Sequence, residues 1–231
     1  MTENTIFVKK YDDENDKFPI SEKEVWRYSG YLGLTTDVDA ELLNVFEQVK
    51  LELKDAFSYR VCYRRMDITW KDNMPVLPFP CESKNLATCL RGSSEIIIFA
   101  ATVGLTVDRH IAKYQRFSPV KALLMQAYGA ERVESLCEGF CKEIEEQVKE
   151  EGLYCTNRFS PGYGDLPLDT QRDVIRLLDC NRQIGISLNE SLLMTPSKSV
   201  TAIFGLGKNL CKNNTCKCAS CEKTACEYRR I

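Results

Sequence analysis

The segment Arg158-Phe-Ser-Pro-Gly-Tyr-Gly-Asp165 is the most informative stretch of the chain, and Met194-Thr-Pro-Ser-Lys-Ser-Val-Thr201 follows it about thirty residues later. Proline presets φ and the glycine after it can adopt a positive φ, so the first segment predicts a tight turn. This turn lies between a predicted strand at residues 154–159 and a predicted helix at residues 169–184. The second segment predicts the entry to a last strand at residues 199–206.

The turn carries one guanidinium, one phenol ring and several backbone amides. Arg158 can hold a carboxylate through two parallel hydrogen bonds, and the ring of Tyr163 can face a cation. A ligand with both groups, such as S-adenosylmethionine, would therefore suit this segment. The simpler interpretation is a tight turn with no ligand, and spacing alone favours it.

The rest of the chain shows the hydrophobic patterns of both helices and strands. The capping-box pattern Ser21-Glu-Lys-Glu24 opens a helix that we expect to close at Gly33. Ser118-Pro119 opens a long helix that should end at Gly152. The other predicted elements are an edge strand at 6–8, a helix at 38–57, a strand at 59–64, a short helix at 83–92, a central strand at 95–103 and a helix at 107–115.

These elements indicate the fold class. Strands and helices intermix without the regular alternation of a parallel doubly wound fold, and no glycine-rich phosphate-binding loop joins a strand to a helix. We therefore predict an α+β fold with a mainly antiparallel, twisted sheet and long packed helices, followed by a short Cys-rich tail. The predicted boundary separates a domain at residues 1–207 from a tail at residues 208–231.

Composition and charge argue against several classes of protein. Of 231 residues, 44% are hydrophobic, which is enough for a core, and 31 basic residues accompany 33 acidic ones. This balance predicts no general nucleic-acid surface. The longest apolar run, residues 96–101, is far shorter than the roughly 18 residues of a membrane span, and no secretory signal pattern occurs. We expect a cytoplasmic protein that binds neither nucleic acid nor membranes.

Residues 158–207 resemble the activation domain of cobalamin-dependent methionine synthase. Members of that family carry an Arg-Pro-x-Pro-Gly-Tyr-type turn, then a helix, then a Met-x-Pro-x-x-Ser-Val segment that enters a strand. The matching residues here are the turn at 158–163 and Met194, Pro196, Ser199 and Val200. A weaker similarity extends back through residues 99–104 and the long helix. The resemblance implies a helmet-like α+β fold, here in a free-standing protein.

The resemblance also implies a site for S-adenosylmethionine, which is held by the arginine and the backbone of the turn and lined by the tyrosine. The implied contact residues are Arg158, Ser160, Pro161, Gly162, Tyr163 and Phe204. Phe204 matches a tyrosine of the family, so its ring keeps a stacking surface but lacks the hydroxyl. The family also recruits an acidic residue from its N-terminal segment, for which we assign no position here. Lys198 is predicted to be solvated.

The function that the resemblance implies is reductive reactivation of a corrinoid-dependent methyltransferase, most simply methionine synthase. An electron donor such as flavodoxin or ferredoxin, with the methyl group of S-adenosylmethionine, would restore methylcobalamin. The chain lacks the Asp-x-His-x-x-Gly motif that supplies the lower cobalt ligand, so the cobalamin is expected on a partner protein. The protein would position the methyl group over cobalt, and we assign no catalytic acid or base.

Two alternatives remain open from the sequence. One is a non-enzymatic docking or redox module that binds a corrinoid protein but not S-adenosylmethionine. The other is activation of a corrinoid protein from a different methyl-transfer pathway. Hydrolysis by a Ser-His-Asp triad has no support, because the only histidine, His110, lies on a predicted surface helix.

Five cysteines crowd into the tail, in a stretch of sixteen residues with no hydrophobic side chain between them larger than alanine. They are Cys211, Cys216, Cys218, Cys221 and Cys226. Such a segment cannot form a core, but four of its thiolates could bind zinc or an iron–sulfur cluster. The alternative is an unstructured, reduced tail. The other seven cysteines are predicted to be reduced and buried.

Overall fold

The computed structural model describes residues 5–11, 18–31, 39–208 and 210, and the five tail cysteines lie outside this part. Its centre is a five-stranded sheet in which all neighbouring strands are antiparallel. In spatial order the strands are β1 (Phe7–Tyr11), β2 (Tyr59–Asp67), β5 (Glu95–Thr102), β9 (Ser199–Gly207) and β6 (Tyr154–Cys155). Two hairpins complete the strands: β3 (Thr69–Lys71) with β4 (Met74–Val76), and β7 (Ser187–Leu188) with β8 (Met194–Thr195).

The helices of the described part pack on both faces of this sheet. They are α1 (Glu22–Tyr28), α2 (Ala40–Leu53), α3 (Lys84–Cys89), α4 (Thr106–Tyr114), α5 (Pro119–Lys149), α6 (Thr170–Leu177) and α7 (Cys180–Ile184). The longest, α5, begins with proline at its first position. The N–H that proline lacks would have no intrahelical partner there, so no helical hydrogen bond is lost. It provides the surface on which the candidate site is built.

Strand β9 separates two hydrophobic cores, because successive side chains of a strand point to opposite faces of its sheet. Phe204 and Leu206 pack with residues of α5 on one face. Ile203 packs on the other face, with residues of α3, α6 and α7. The central strand β5 is buried along nearly its whole length, as its continuous apolar sequence predicts.

Phe18 packs closely against α5 at Gly139. A Cβ at position 139 would lie 2.1 Å from the ring of Phe18, so a larger residue than Gly139 would displace that ring. Glycine inside a helix costs stability relative to alanine, and here the close approach of Phe18 explains its presence.

The predicted fold class is confirmed, since a mainly antiparallel sheet packs against long helices. The single helix predicted at 169–184 is wrong, because Asp179 adopts a left-handed φ of 46° and separates α6 from α7. The strand predicted at 154–159 is only partly formed. It contains β6, and Phe159 then forms an isolated bridge with Ile203.

Two helices end earlier than predicted. α1 ends at Tyr28, before the expected Gly33. α2 ends at Leu53, and residue 57, its predicted last residue, instead places its ring in a stack with Tyr128 at a centroid distance of 5.7 Å. Packing of an aromatic residue against α5 therefore replaces the last predicted turn of α2.

The cysteines of the described part are unbridged thiols. Those that are buried, as predicted, are Cys62, Cys89, Cys137, Cys155 and Cys180. Cys81 and Cys141 are only half-buried. Free buried thiols act as small apolar groups, so the buried five contribute chiefly to packing.

Candidate functional site

The Pro-Gly segment forms a tight turn closed by its own backbone. Gly162 has a φ of 88°, which favours glycine at this position. The amide of Tyr163 donates to the carbonyl of Ser160 at 3.1 Å, and the amide of Gly162 donates to that of Leu166 at 2.9 Å. Two of the backbone amides that were expected to be available to a ligand therefore form hydrogen bonds within the turn.

Asp165 attaches this turn to the start of α3. Its carboxylate accepts hydrogen bonds from the Ser83 hydroxyl and from the amide of Lys84, the latter at 2.8 Å. The bond from Ser83 is the main reason why the pKa of Asp165 lies below its ordinary value. Gly164 leaves room for this approach, because a Cβ there would lie 2.4 Å from the side-chain nitrogen of Asn85.

Arg158, at the start of the turn, points toward α5. Its Nη2 donates to Oε2 of Glu134 at 2.5 Å, and 22% of its side chain is exposed. Burial acts to lower the pKa of Arg158, but the Glu134 carboxylate and the hydrogen bond to it outweigh burial and raise the pKa. Arg158 is therefore a permanent cation that solvent can reach.

Two thiols of α5 lie beside this cation. Burial is the main cause of the raised pKa of Cys137, and it raises the pKa of Cys141 to about 12. Both groups are neutral at physiological pH. Glu134, rather than a thiolate, therefore supplies a negative charge in direct contact with Arg158.

The remaining residues of the turn differ in exposure. Tyr163 is 71% exposed, and its ring meets that of Phe159 edge-on at a centroid distance of 6.5 Å. Ser160 is half-buried and Pro161 is buried. The tyrosine ring can thus contact a ligand without any rearrangement of the core.

Phe204 lies in a different environment. It is 1% exposed, and its ring packs 6.0 Å from Phe99 and 6.5 Å from Phe140, measured between centroids. A ligand would reach this ring only if the core around it opened. The structure thus brings five of the six predicted contact residues together in one turn and places Phe204 beneath the surface; its contact with a ligand stays a prediction.

The second predicted segment lies against α4 and α5. The amide and hydroxyl of Ser197 donate to Asp108 at 2.7 and 2.5 Å. Lys198 Nζ donates to Oε1 of Gln126 at 2.5 Å, and a Cβ at position 129 would lie 3.1 Å from Cγ of Lys198. Lys198 is thus less solvated than predicted: its bond to Gln126 is exposed, but the side chain is half-buried over Gly129, and burial lowers its pKa.

Helix α5 joins the two segments. Gln126 contacts the second segment and Glu134 contacts the first, and the two residues are eight positions apart along the helix. At 1.5 Å per residue this separation is about 12 Å along the helix axis. Sequence reasoning missed both residues, because each contact joins segments that are far apart along the chain.

The described part of the chain also contains two hollows away from the Pro-Gly turn. Residues 5–11, 18–31 and 39–208 contain no group of three or more His, Cys, Asp or Glu that could hold a metal ion. One hollow of about 380 Å³ is lined by Trp70, Asn73, Arg91, Gly92, Ser93 and Ser94. Another, of about 480 Å³, lies near the end of α5 and is lined by Lys142, Glu145, Glu146, Lys149, Leu153, Tyr154 and Leu210. Neither hollow includes the Pro-Gly turn.

The sheet, the long helix and the pinned turn define an α+β domain with a charged surface turn on α5. The family of the vitamin B12-dependent methionine synthase activation domain matches residues 86–218. Because this match spans more than half of the chain, the protein belongs to that family. The expectation drawn from the Pro-Gly and Met-x-Pro segments is thereby confirmed.

Comparison with solved structures supports the same fold. A crystal structure of the MetH reactivation domain bound to AdoHcy matches with a TM-score of 0.64 and 14% sequence identity. The match covers 88% of this chain and 78% of that one. No curated protein sequence matches. In the described part of this chain, no helix is long and apolar enough to cross a membrane.

Proposed function

We propose that this protein reactivates a cobalamin-dependent methyltransferase, most simply methionine synthase, in the cytoplasm. It binds S-adenosylmethionine over the Pro-Gly turn and presents the methyl group to cobalt on a partner protein. The observation that carries this proposal is the solvent-reachable, permanently charged Arg158 at the edge of a turn pinned by Asp165. Membership of the activation-domain family and the AdoHcy bound to the similar MetH domain add support.

The proposed chemistry is a reduction followed by a methyl transfer. A one-electron donor of the flavodoxin or ferredoxin class would supply the electron that reduces cobalt(II) to cobalt(I) on the partner. S-adenosylmethionine would then supply the methyl group to cobalt(I), with the carbon–sulfur electron pair kept by sulfur in the departing S-adenosylhomocysteine. No proton moves, so the chain needs no acid or base, and its contribution is orientation of the sulfonium methyl group.

Within this scheme Arg158 holds the carboxylate of the ligand and Tyr163 covers it. A guanidinium has five N–H donors, and the bond to Glu134 uses Nη2. The exposed ring of Tyr163 suits contact with the adenine or the sulfonium. Ser160, Pro161 and Gly162 shape the backbone between these two side chains.

A second candidate is a docking or redox module that binds a corrinoid protein without binding S-adenosylmethionine. The burial of Phe204 favours it, because the family's stacking position is closed here. The existing bond between Arg158 and Glu134 also favours it, because a ligand carboxylate must share that guanidinium. A third candidate, activation of a corrinoid protein from another methyl-transfer pathway, differs only in the partner.

Calorimetric titration with S-adenosylmethionine distinguishes the first two candidates. We expect the wild type to bind, and Arg158→Ala to bind about ten- to a hundredfold more weakly, because a hydrogen bond between charged groups contributes roughly 1.5–3 kcal/mol. The matched control is Arg182→Ala, which removes an exposed arginine of α7, a helix packed on the other face of the sheet. No binding by the wild type would favour the docking module, and unchanged affinity in Arg158→Ala would exclude the carboxylate contact.

We further propose that four of the five tail cysteines bind a metal, in a tail separate from the domain at residues 1–207. The five are Cys211, Cys216, Cys218, Cys221 and Cys226. Thiolates at this density suit tetrahedral zinc or an iron–sulfur cluster, which would supply the stability that the segment lacks. An iron–sulfur cluster would fit a protein that passes an electron toward cobalt, whereas zinc would fit a docking role.

Metal analysis of the anaerobically purified full chain tests this proposal. We expect bound iron with visible thiolate–iron absorption, or bound zinc, and loss of that metal in a Cys218→Ser/Cys221→Ser variant. Cys81→Ser is the control, because it removes a half-buried thiol of the described domain. A wild type with neither iron nor zinc, or a metal content that is unchanged in the double variant, would contradict the proposal.

A further inference from the structure

The contact between Arg158 and Glu134 places two opposite charges side by side at the surface. Their side chains are 22% and 32% exposed, and Nη2 and Oε2 lie 2.5 Å apart. Arg158 lies at the start of the Pro-Gly turn and Glu134 lies on α5, so two different elements fix the positions of the two charges. Asp165 pins the turn to α3, which limits how far Arg158 can move away from Glu134.

Glu134 can bind a second donor without releasing Arg158. Its bond to Arg158 uses one oxygen, Oε2, and a carboxylate has two oxygens with about four acceptor positions. The two thiols nearest to the pair, Cys137 and Cys141, stay neutral because burial raises the pKa of both. Neither thiol therefore adds negative charge beside Glu134, and the attraction of a ligand cation to this pair comes from the Glu134 carboxylate.

The pair matches the head group of an amino acid, in which a carboxylate and an ammonium group sit on one carbon atom. Arg158 alone would attract any carboxylate. With Glu134 beside it, the pair has no net charge, so a simple anion gains little and is repelled by Glu134 at short range. A zwitterion gains from both members of the pair.

We propose that Glu134 is the ammonium-binding residue of the site, which accepts from the α-ammonium group of S-adenosylmethionine while Arg158 holds the α-carboxylate. This inference rests on the proposed function, because it assigns a second charged contact within the same site. It also makes Glu134 the residue that selects zwitterionic ligands over carboxylates without an amino group.

The test is a thermodynamic cycle that combines removal of the Glu134 charge with removal of the α-ammonium group of the ligand. The wild type and Glu134→Gln are each titrated calorimetrically with S-adenosylhomocysteine and with its analogue in which hydrogen replaces the α-ammonium group. We expect Glu134→Gln to weaken binding of S-adenosylhomocysteine about tenfold, as loss of one charged hydrogen bond does. Binding of the analogue should be unchanged or tighter, because the repelling carboxylate is gone.

Glu146→Gln is the matched control. It removes one carboxylate from the same helix, twelve positions or about 18 Å from Glu134, and should leave both affinities unchanged. Glu134→Asp, which keeps the charge on a shorter side chain, should restore part of the preference for the zwitterion.

The outcomes separate this inference from the proposed function. Equal weakening of both ligands by Glu134→Gln would show that Glu134 only positions Arg158 and would overturn the inference. Unchanged affinities for both ligands would overturn it as well. A wild type that binds neither ligand would overturn the proposed function, and the assignment of Glu134 would fall with it.

Discussion

Helix α5 takes part in two arginine–glutamate pairs that share their chemistry and differ in burial. Arg132 and Glu131 are 3% and 2% exposed, whereas Arg158 and Glu134 are 22% and 32% exposed. In the buried pair, Nε of Arg132 lies 2.7 Å from Oε2 of Glu131. The two glutamates, Glu131 and Glu134, are three residues apart on α5. The pairs therefore differ in their burial and hydrogen-bond partners and not in residue type.

The buried pair is completed by further hydrogen bonds. The Ser21 amide and the Ser135 hydroxyl donate to Oε1 of Glu131 at 3.0 and 2.7 Å. Nη1 of Arg132 donates to the carbonyl of Phe18 at 2.6 Å. These bonds attach residues 18–21 to α5. A charge pair that is saturated by protein groups acts in the structure, whereas a solvent-reachable pair with acceptor positions left over can act on a ligand.

Loss of the buried pair should destabilise the protein strongly. Glu131→Gln leaves the Arg132 charge buried without its partner, so we expect the free energy of unfolding to fall by about 3–5 kcal/mol. Urea denaturation followed by circular dichroism measures this change. A loss below about 1 kcal/mol would mean that water reaches Arg132 and that the pair is not buried in solution.

The same substitution at the exposed pair should cost much less stability. Glu134→Gln keeps a hydrogen-bond acceptor beside Arg158, and solvent screens the charge that it leaves. We expect the free energy of unfolding to fall by about 1 kcal/mol or less. Equal losses in the two variants would contradict the distinction between a structural pair and a ligand-binding pair.

Much of the fold could be predicted because it depends on local signals. The apolar run of β5 and the Ser-Pro start of α5 are such signals, and both elements lie where they were predicted. The break at Asp179 was missed because any residue inside a helical pattern reads as helical. Aspartate tolerates the left-handed conformation better than most residues, but nothing in the sequence around Asp179 indicates that the helix breaks there.

The candidate site was predictable only in part. The turn that holds Arg158 follows from proline and glycine, which fix a local backbone shape. Its contact with Glu134 joins residues 24 positions apart and depends on how β9 and α5 pack, so a single sequence does not show it. The partial burial of Lys198 was missed for the same reason, because its side chain packs against α5 at Gly129.

A smaller effect should come from loosening the turn that presents the exposed pair. Asp165→Asn removes the charge that accepts from Ser83 and from the Lys84 amide at the start of α3. We expect the free energy of unfolding at pH 7 to fall by about 1 kcal/mol or less, as for an exposed capping group. Affinity for S-adenosylmethionine should fall too, because Arg158 loses part of its positioning.

The pH dependence of this stability loss identifies its cause. The bond from Ser83 holds the pKa of folded Asp165 below the value of about 3.9 expected for the unfolded chain. A depressed pKa contributes stability that is present above the unfolded value and is lost as the pH falls through the folded value. The difference in unfolding free energy between wild type and Asp165→Asn should therefore be constant between pH 7 and about pH 5, and shrink below about pH 4. A difference that does not change with pH would show that shape rather than charge holds the turn, and that the geometry of the exposed pair does not depend on the Asp165 carboxylate.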